Sequence, residues 1–278
     1  LLPILGKLAI EARERSDSFR THNAVRALVL YPMNALVNDQ LGRLRLLFGN
    51  PRVISLFESW AGRPARFARY TSRTPYAGVR RPNKDRARLQ SIGAFFVQIE
   101  QAAARHHDGT PKIAHEDRAA SALLERLLKR GKWPSKVSLS DWFGEPHQHW
   151  LNREKEFQRA VLGPHDAEML TRHEVQKNPP DLLITNYSML EYMMLRPIER
   201  PIFDRTCEWL AANPDERILV VLDEAHLYRG TQGAEVGLLL RRLRERLGID
   251  SDRFQVICAT ASFSEEGKKI AEQFGAEL

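Results

Sequence analysis

At 278 residues, with 43% hydrophobic and 28% charged side chains, the chain has the make-up of a globular protein that can bury a sizeable core. No apolar run approaches the ~20 residues of a membrane span. Two cysteines, Cys207 and Cys258, imply no disulfide framework and cannot form a metal site alone, so a cytoplasmic setting without membrane contact is expected. The net charge of +7 is concentrated. Between Arg63 and Arg88 stand nine basic residues (Arg63, Arg66, Arg69, Arg73, Arg80, Arg81, Lys84, Arg86, Arg88) against Asp85 alone, nine minus one or +8. With Tyr70, Pro75, Tyr76 and Pro82 interleaved, this stretch suits phosphate contacts and base stacking; a solvated basic loop is the alternative.

In chain order, the sequence opens on Leu1-Leu2-Pro3-Ile4-Leu5-Gly6-Lys7-Leu8-Ala9-Ile10, without Met, and reads as the middle of a helix. Ala27–Tyr31 is a short apolar strand stopped by Pro32, and Asn34 is placed to cap a helix over 35–48, which Gly49, Asn50 and Pro51 break. Val53, Ile54, Leu56 and Phe57 suggest a second strand over 53–57. Residues 75–178 then lose the strand–helix rhythm. Leu89, Ile92, Phe96, Ile99 and Ala103 form one helical face; Ala119, Leu123, Leu124, Leu127 and Leu128 form another; Trp150, Phe157, Val161 and Leu162 mark a third. Further strands are expected over 181–185, 217–222 and 254–258, with helices over 186–195 and 233–247. This alternation predicts an α/β fold in which 1–74 and 179–278 build one parallel sheet covered by helices. Residues 75–178 form a mostly helical insertion.

The richest segment is Val220-Val221-Leu222-Asp223-Glu224-Ala225-His226. An apolar strand that ends in two adjacent carboxylates delivers them to the carboxyl edge of a parallel sheet, where ligands bind. Two acids there suit nucleotide hydrolysis, one holding Mg²⁺ through its water shell and the other orienting the attacking water. Such chemistry needs a phosphate-cradling loop ending in Gly-Lys-Ser/Thr. Gly6-Lys7, Gly131-Lys132 and Gly267-Lys268 are followed by Leu8, Trp133 and Lys269, so that loop is expected before residue 1 and the chain alone is expected to lack ATPase activity. Other chemistries find less support. His147, His149, His165 and His173 lack partners at a zinc-like spacing, and no nucleophilic serine elbow is present.

Polar residues follow several strands in turn: Pro32-Met33-Asn34-Ala35-Leu36 after the first, Thr185-Asn186-Tyr187 later, then Asp223-Glu224-Ala225-His226, then Cys258-Ala259-Thr260. These segments, in this order, resemble motifs Ia, Ib or Ic, II and III of superfamily 2 DEAD/DEAH-box helicases, in a first RecA-like (P-loop NTPase) lobe without motif I. The longer match from Asp223 through Leu227-Tyr228-Arg229-Gly230 to Leu240-Arg241-Arg242-Leu243, together with Tyr31-Pro32-Met33-Asn34-Ala35-Leu36, resembles prokaryotic helicases with a C-terminal DUF1998 region. Their relatives include a DNA-repair branch and helicase components of DISARM-like and Druantia-like antiphage systems.

This resemblance implies ATP and Mg²⁺ as cofactors, and DNA and a second RecA-like lobe as partners, with defence or repair subunits beside them. It assigns Asp223 to Mg²⁺, Glu224 to the hydrolytic water, and His226 to coupling the nucleotide to lobe closure. Thr260 falls in the motif linking the nucleotide and nucleic-acid sites, where Cys258 replaces the usual serine. Pro32, Met33 and Asn34, then Thr185 and Asn186, and Arg73 are the implied backbone contacts. Helix starts have free N–H groups for a phosphate, and ordinary capping by Asn34 and Asn186 is compatible with that role. A non-hydrolysing nucleic-acid-binding module and a duplex translocase remain alternative readings of the same residues.

Overall fold

The computed structural model describes residues 1–75, 89, 95–105, 115–143, 161–228 and 230–260. Ile92, Trp150 and Phe157 of the predicted helical faces lie outside the described residues, as do Tyr76, Pro82 and the basic residues from Arg80 to Arg88. The chain opens in α1 (Leu2–Glu14) and α2 (Ser16–Thr21) and enters the sheet through β1 (Ala27–Tyr31), followed by α3 (Asn34–Phe48) and α4 (Pro51–Ala61). A short β2 (Phe67–Arg69) precedes helix α5 (95–105), α6 (His115–Lys129), α7 (Leu139–Phe143), β3 (Glu168–Met169) and α8 (Arg172–Lys177). Then come β4 (Leu182–Asn186), α9 (Tyr187–Leu195), α10 (Arg200–Ala212), β5 (Ile218–Leu222), α11 (Gly230–Leu247) and β6 (Phe254–Cys258).

The six strands form one sheet in the order β3-β2-β4-β1-β5-β6, with every pair parallel. Because side chains alternate across a strand, each apolar strand feeds two cores. Leu28, Leu30, Leu183, Val220 and Leu222 face α9, α10 and α11; Ala27, Val29, Tyr31, Leu182, Ile184 and Leu219 face α1 to α4. Burial on both faces explains the near-continuous apolar runs and bears out the expected α/β fold.

Residues 53–57, read as a strand, belong instead to α4. Asn50 accepts a hydrogen bond from the Arg52 N–H, Pro51 occupies the first turn, and Gly62 ends the helix at φ 70°. Phe57 and Ala61, four apart, fill the core, while Leu56 is exposed. Helical spacing, not strand alternation, is the period that matters here. The second strand comes later, as β2 inside the basic stretch, too short to register as an apolar run.

Within 75–178, β3 pairs with β2 and so extends the sheet. Leu89, Ile99, Trp133, Leu139, Trp142 and Phe143 form a third core together with Leu170. One close contact sets this unit against α3, and one buried network holds its own segments together. Gly131, at φ 63°, lies so close to α3 that a Cβ there would collide with the Gly42 carbonyl. Lys136, fully buried, donates to Asp166 (3.0 Å) and Glu174 (2.8 Å), and Glu174 also accepts from the Trp142 indole (2.8 Å).

At the opposite, amino edge, Arg63 is not the exposed phosphate-binding cation that its place in the basic run suggested. It is buried, reaching Asp181 through Nη1 (2.7 Å) and Nη2 (2.9 Å), and Arg26 donates to the same carboxylate (2.9 Å). Arg26 also donates to Glu11 (2.7 Å). No helix among the described residues is long and apolar enough to cross a membrane.

Candidate active site and nucleic-acid edge

Parallel pairing brings the carboxyl ends of the strands into one row. The register sets Tyr31 beside Asn186, Leu30 beside Leu222, and Leu222 beside Cys258. Asp223 therefore emerges between β1 and β6, its N–H donating to the Leu30 carbonyl at 3.0 Å. The Ala259 N–H donates to Leu222 (2.8 Å), and the Ala225 N–H returns the contact to Ala259 (2.9 Å). These bonds stitch the end of β5 to the end of β6.

Glu224 turns the chain with φ 52° and ψ 43°, the left-handed region. A non-glycine residue there costs on the order of 1 kcal/mol. The turn leads into a short 3₁₀ segment, Ala225–Leu227, which brings His226 back toward the acids. His226 Nδ1 lies 2.8 Å from Thr260 Oγ1 and 3.4 Å from Glu224 Oε2. His226 thus meets Thr260 across 34 positions of chain, with Glu224 beside it.

Asp223 is half-buried and its pKa lies above the ordinary carboxylate value. Burial is the main cause; a hydrogen bond from the Glu224 N–H opposes it, and the neighbouring Glu224 charge adds to it. The Arg43 charge acts to lower it. Tyr31 and Tyr228 are buried nearby, and both phenols are pushed up, first by burial and then by the Asp223 charge. The Tyr228 hydroxyl has no hydrogen-bond partner among the described residues. Cys258, half-buried, has its thiol pushed up by burial, so a neutral thiol ends β6.

The implied nucleic-acid residues divide into three groups. Met33, exposed and extended, occupies the N-cap position of α3, so Asn34 is the first helical residue and not the cap that the sequence suggested. Asn34 Oδ1 accepts from Asn186 Nδ2 at 2.7 Å, while Asn186 Oδ1 caps α9 by accepting from the Met189 N–H at 2.7 Å. The starts of α3 and α9 are thereby held side by side, with Pro32 leading into the first. Thr185 is fully buried and donates its hydroxyl to the Tyr70 carbonyl (2.6 Å), tying β4 to the end of β2.

Arg73 stands apart, beyond β2, exposed at a groove of about 390 Å³ with Asn38, Arg45, Arg69 and Phe96. Arg69 belongs to the basic stretch read as suited to phosphate contacts, whereas Asn38 was not singled out; its one signal is that it lies one helical turn after Asn34.

The described residues build an all-parallel sheet covered on both faces, with paired carboxylates at its carboxyl edge, and the chain is similar to segments of longer proteins. It is a homologue of a segment of the Druantia protein DruE of Escherichia coli (strain UMEA 4076-1), 42% identical over 98% of this chain. A second relative is the uncharacterized ATP-dependent helicase MJ1574 of Methanocaldococcus jannaschii, 30% identical over 37% of this chain. The chain spans 14% of the length of DruE, and the second alignment covers 14% of MJ1574. Among solved structures, that of the DUF1998 helicase MrfA aligns with 96% of this chain and 23% of its own, at 15% identity and a TM-score of 0.40. No protein-family model matches the chain.

Proposed function

We propose that this chain is part of the first motor lobe of an ATP-dependent DNA helicase or translocase that acts in antiphage defence. The observation that carries the reading is the convergence of Asp223, Glu224, His226 and Thr260 at one sheet edge, in a homologue of a Druantia protein. Glu224 polarises the hydrolytic water, and its left-handed backbone presents the carboxylate to His226 rather than along the strand. His226, bridging Glu224 and Thr260, ties the state of the acid to the end of β6. A second lobe closes over this edge.

The residues fit a divalent cation held through water. Two adjacent, part-exposed carboxylates at the sheet edge offer oxygen donors that would suit a cation held between them and a phosphate. Asp223 would hold Mg²⁺ in this reading, and the ion would supply charge neutralisation at the transferred phosphoryl group. On the other side of the row, the paired starts of α3 and α9, at Met33-Asn34 and Asn186, present main-chain donors to a nucleic-acid backbone. Residues 1–74 and 179–278 form the motor lobe and 75–178 its insertion, with β3 extending the lobe's sheet.

Single-turnover nucleotide analysis tests the assignment of Glu224. The full-length protein is loaded with radiolabelled ATP and the bound nucleotide is separated. A Glu224→Gln protein should retain uncleaved ATP while the unmodified protein holds ADP. ADP in both contradicts the assignment.

A further inference from the structure

The groove beyond β2 lies on the joint between sheet and insertion and is lined from both. Asn38, Leu41 and Arg45 come from α3, Arg69 and Arg73 from β2 and its exit, Glu168 and Met169 from β3, and Phe96 from α5. Its charged lining is three arginines against one carboxylate, three minus one or +2. Arg45 is spent on Glu168, which it grips through Nε (2.8 Å) and Nη2 (2.7 Å). Arg69 donates to the neutral Asn38 side chain; burial lowers its pKa, the Glu168 charge that Arg45 already grips raises it, and the Arg45 and Arg73 charges lower it. Arg73 is exposed and enters no ion pair among the described residues.

A second, independent feature sits on the insertion's side. Phe96 packs edge-on against the buried Trp133 with ring centroids 5.1 Å apart, and Phe95, 51% exposed, packs edge-on against Phe96 at 5.3 Å. Two neighbouring phenylalanines, one lining a cationic groove and one open to solvent, leave apolar ring surface next to three guanidinium groups that share one carboxylate. Bare phosphate or an acidic peptide would use the arginines and leave the rings idle. An unpaired nucleotide uses both, because its base has a free face to stack while its phosphate meets the cations. A duplex hides its base faces, and the groove is of small-ligand size.

We infer that this groove holds one unpaired strand, with a phosphate on Arg69 and Arg73 and a base stacked on Phe96, flanked by Phe95. The inference rests on the proposed nucleic-acid motor and deepens it, since it gives the insertion a task and favours strand separation over duplex translocation.

The test uses the full-length protein, a labelled oligo-dT strand, a blunt duplex and a strand carrying 2-aminopurine. Phe96→Leu keeps apolar bulk against Trp133 but removes the stacking face, and Phe95→Ser changes an exposed ring. Each should weaken oligo-dT binding on the order of tenfold, leave duplex affinity unchanged and abolish the fluorescence change of bound 2-aminopurine. Arg73→Ala should weaken strand binding and reduce its dependence on salt by about one counterion. Unchanged strand affinity in both phenylalanine variants overturns the inference, as does equal weakening for strand and duplex. If those results come with DNA-stimulated ATP turnover intact, the groove assignment alone fails. If the unmodified protein binds no nucleic acid, the motor reading fails with it.

Discussion

Asp181 is the residue on which the amino edge of the sheet depends most, and Asp181→Asn measures that dependence. The carboxylate is 1% exposed and accepts four hydrogen bonds: Arg26 Nη1 and Arg63 Nη2 on Oδ1, and Arg63 Nη1 and the Arg66 N–H on Oδ2. Arg26 and Arg63 lie over the Phe19 ring at 4.7 and 4.2 Å from its centroid, with Glu11 as the second anion of the cluster. Asparagine keeps the shape but turns an amide against two of those donors and leaves two buried cations facing one carboxylate. Removing one partner from a buried charge cluster costs roughly 3–5 kcal/mol. Counting instead two lost hydrogen bonds from charged or main-chain donors gives about the same range.

For a chain of this size, that corresponds to a Tm lower by on the order of 10 °C. Urea unfolding followed by tryptophan fluorescence is the assay, since Arg26 lies 5.0 Å from the Trp209 ring. Burial pushes the Asp181 carboxyl up, but Arg63, Arg26 and the Arg66 N–H outweigh it and hold its pKa below the ordinary value of 3.8. Its contribution is therefore present above pH 3.8 and lost as pH falls through the lower folded value. The variant should differ most from the unmodified chain at neutral pH and converge with it in acid. A loss under 1 kcal/mol at pH 7 would refute the argument that this cluster is held together by charge.

Three further outcomes follow from the same geometry. Asp223→Asn should raise the Tm at pH 7 in the absence of nucleotide, because a carboxyl with a raised pKa contributes stability only while protonated and loses it as pH rises through its folded value; calorimetry between pH 4 and 7 should show the gap closing toward acid. Thr260→Val and His226→Ala should each cost about 1 kcal/mol and their double variant less than the sum, and full additivity in urea titrations would mean the 2.8 Å contact does not couple them. Lys136→Met strands Asp166 and Glu174 as buried acids and should cost roughly 3–5 kcal/mol; urea denaturation that shows under 1 kcal/mol would mean that this lysine does not hold the insertion's segments together.

Much of this architecture is written in local pattern. The strands at 27–31, 182–186, 218–222 and 254–258 are apolar throughout because both of their faces are covered, and a run of that kind is visible without a structure. The acidic turn after β5 was equally legible, since an apolar run that stops at two carboxylates has few other places to go. The pairing of His226 with Thr260 was not, because it depends on β6 lying beside β5, which no spacing within either segment encodes. Asn50 and Gly62 frame residues 51–61 as a helix, yet the β-branched pair Val53-Ile54 drew the reading toward a strand. Arg63 looked like surface charge because burial of an arginine depends on a partner over a hundred residues away, Asp181. Phe96 and Arg69 meet at one groove only because the insertion folds back on β2.

The most direct test of the central claim is steady-state ATP hydrolysis by the full-length protein, with and without single-stranded DNA, beside Glu224→Gln. The account predicts turnover that DNA stimulates and that falls by on the order of 10²–10⁴ in the variant, the contribution of a positioned general base. Turnover that is absent from both proteins while DNA still binds would contradict it, and would leave Asp223 and Glu224 as remnants in a module that only binds.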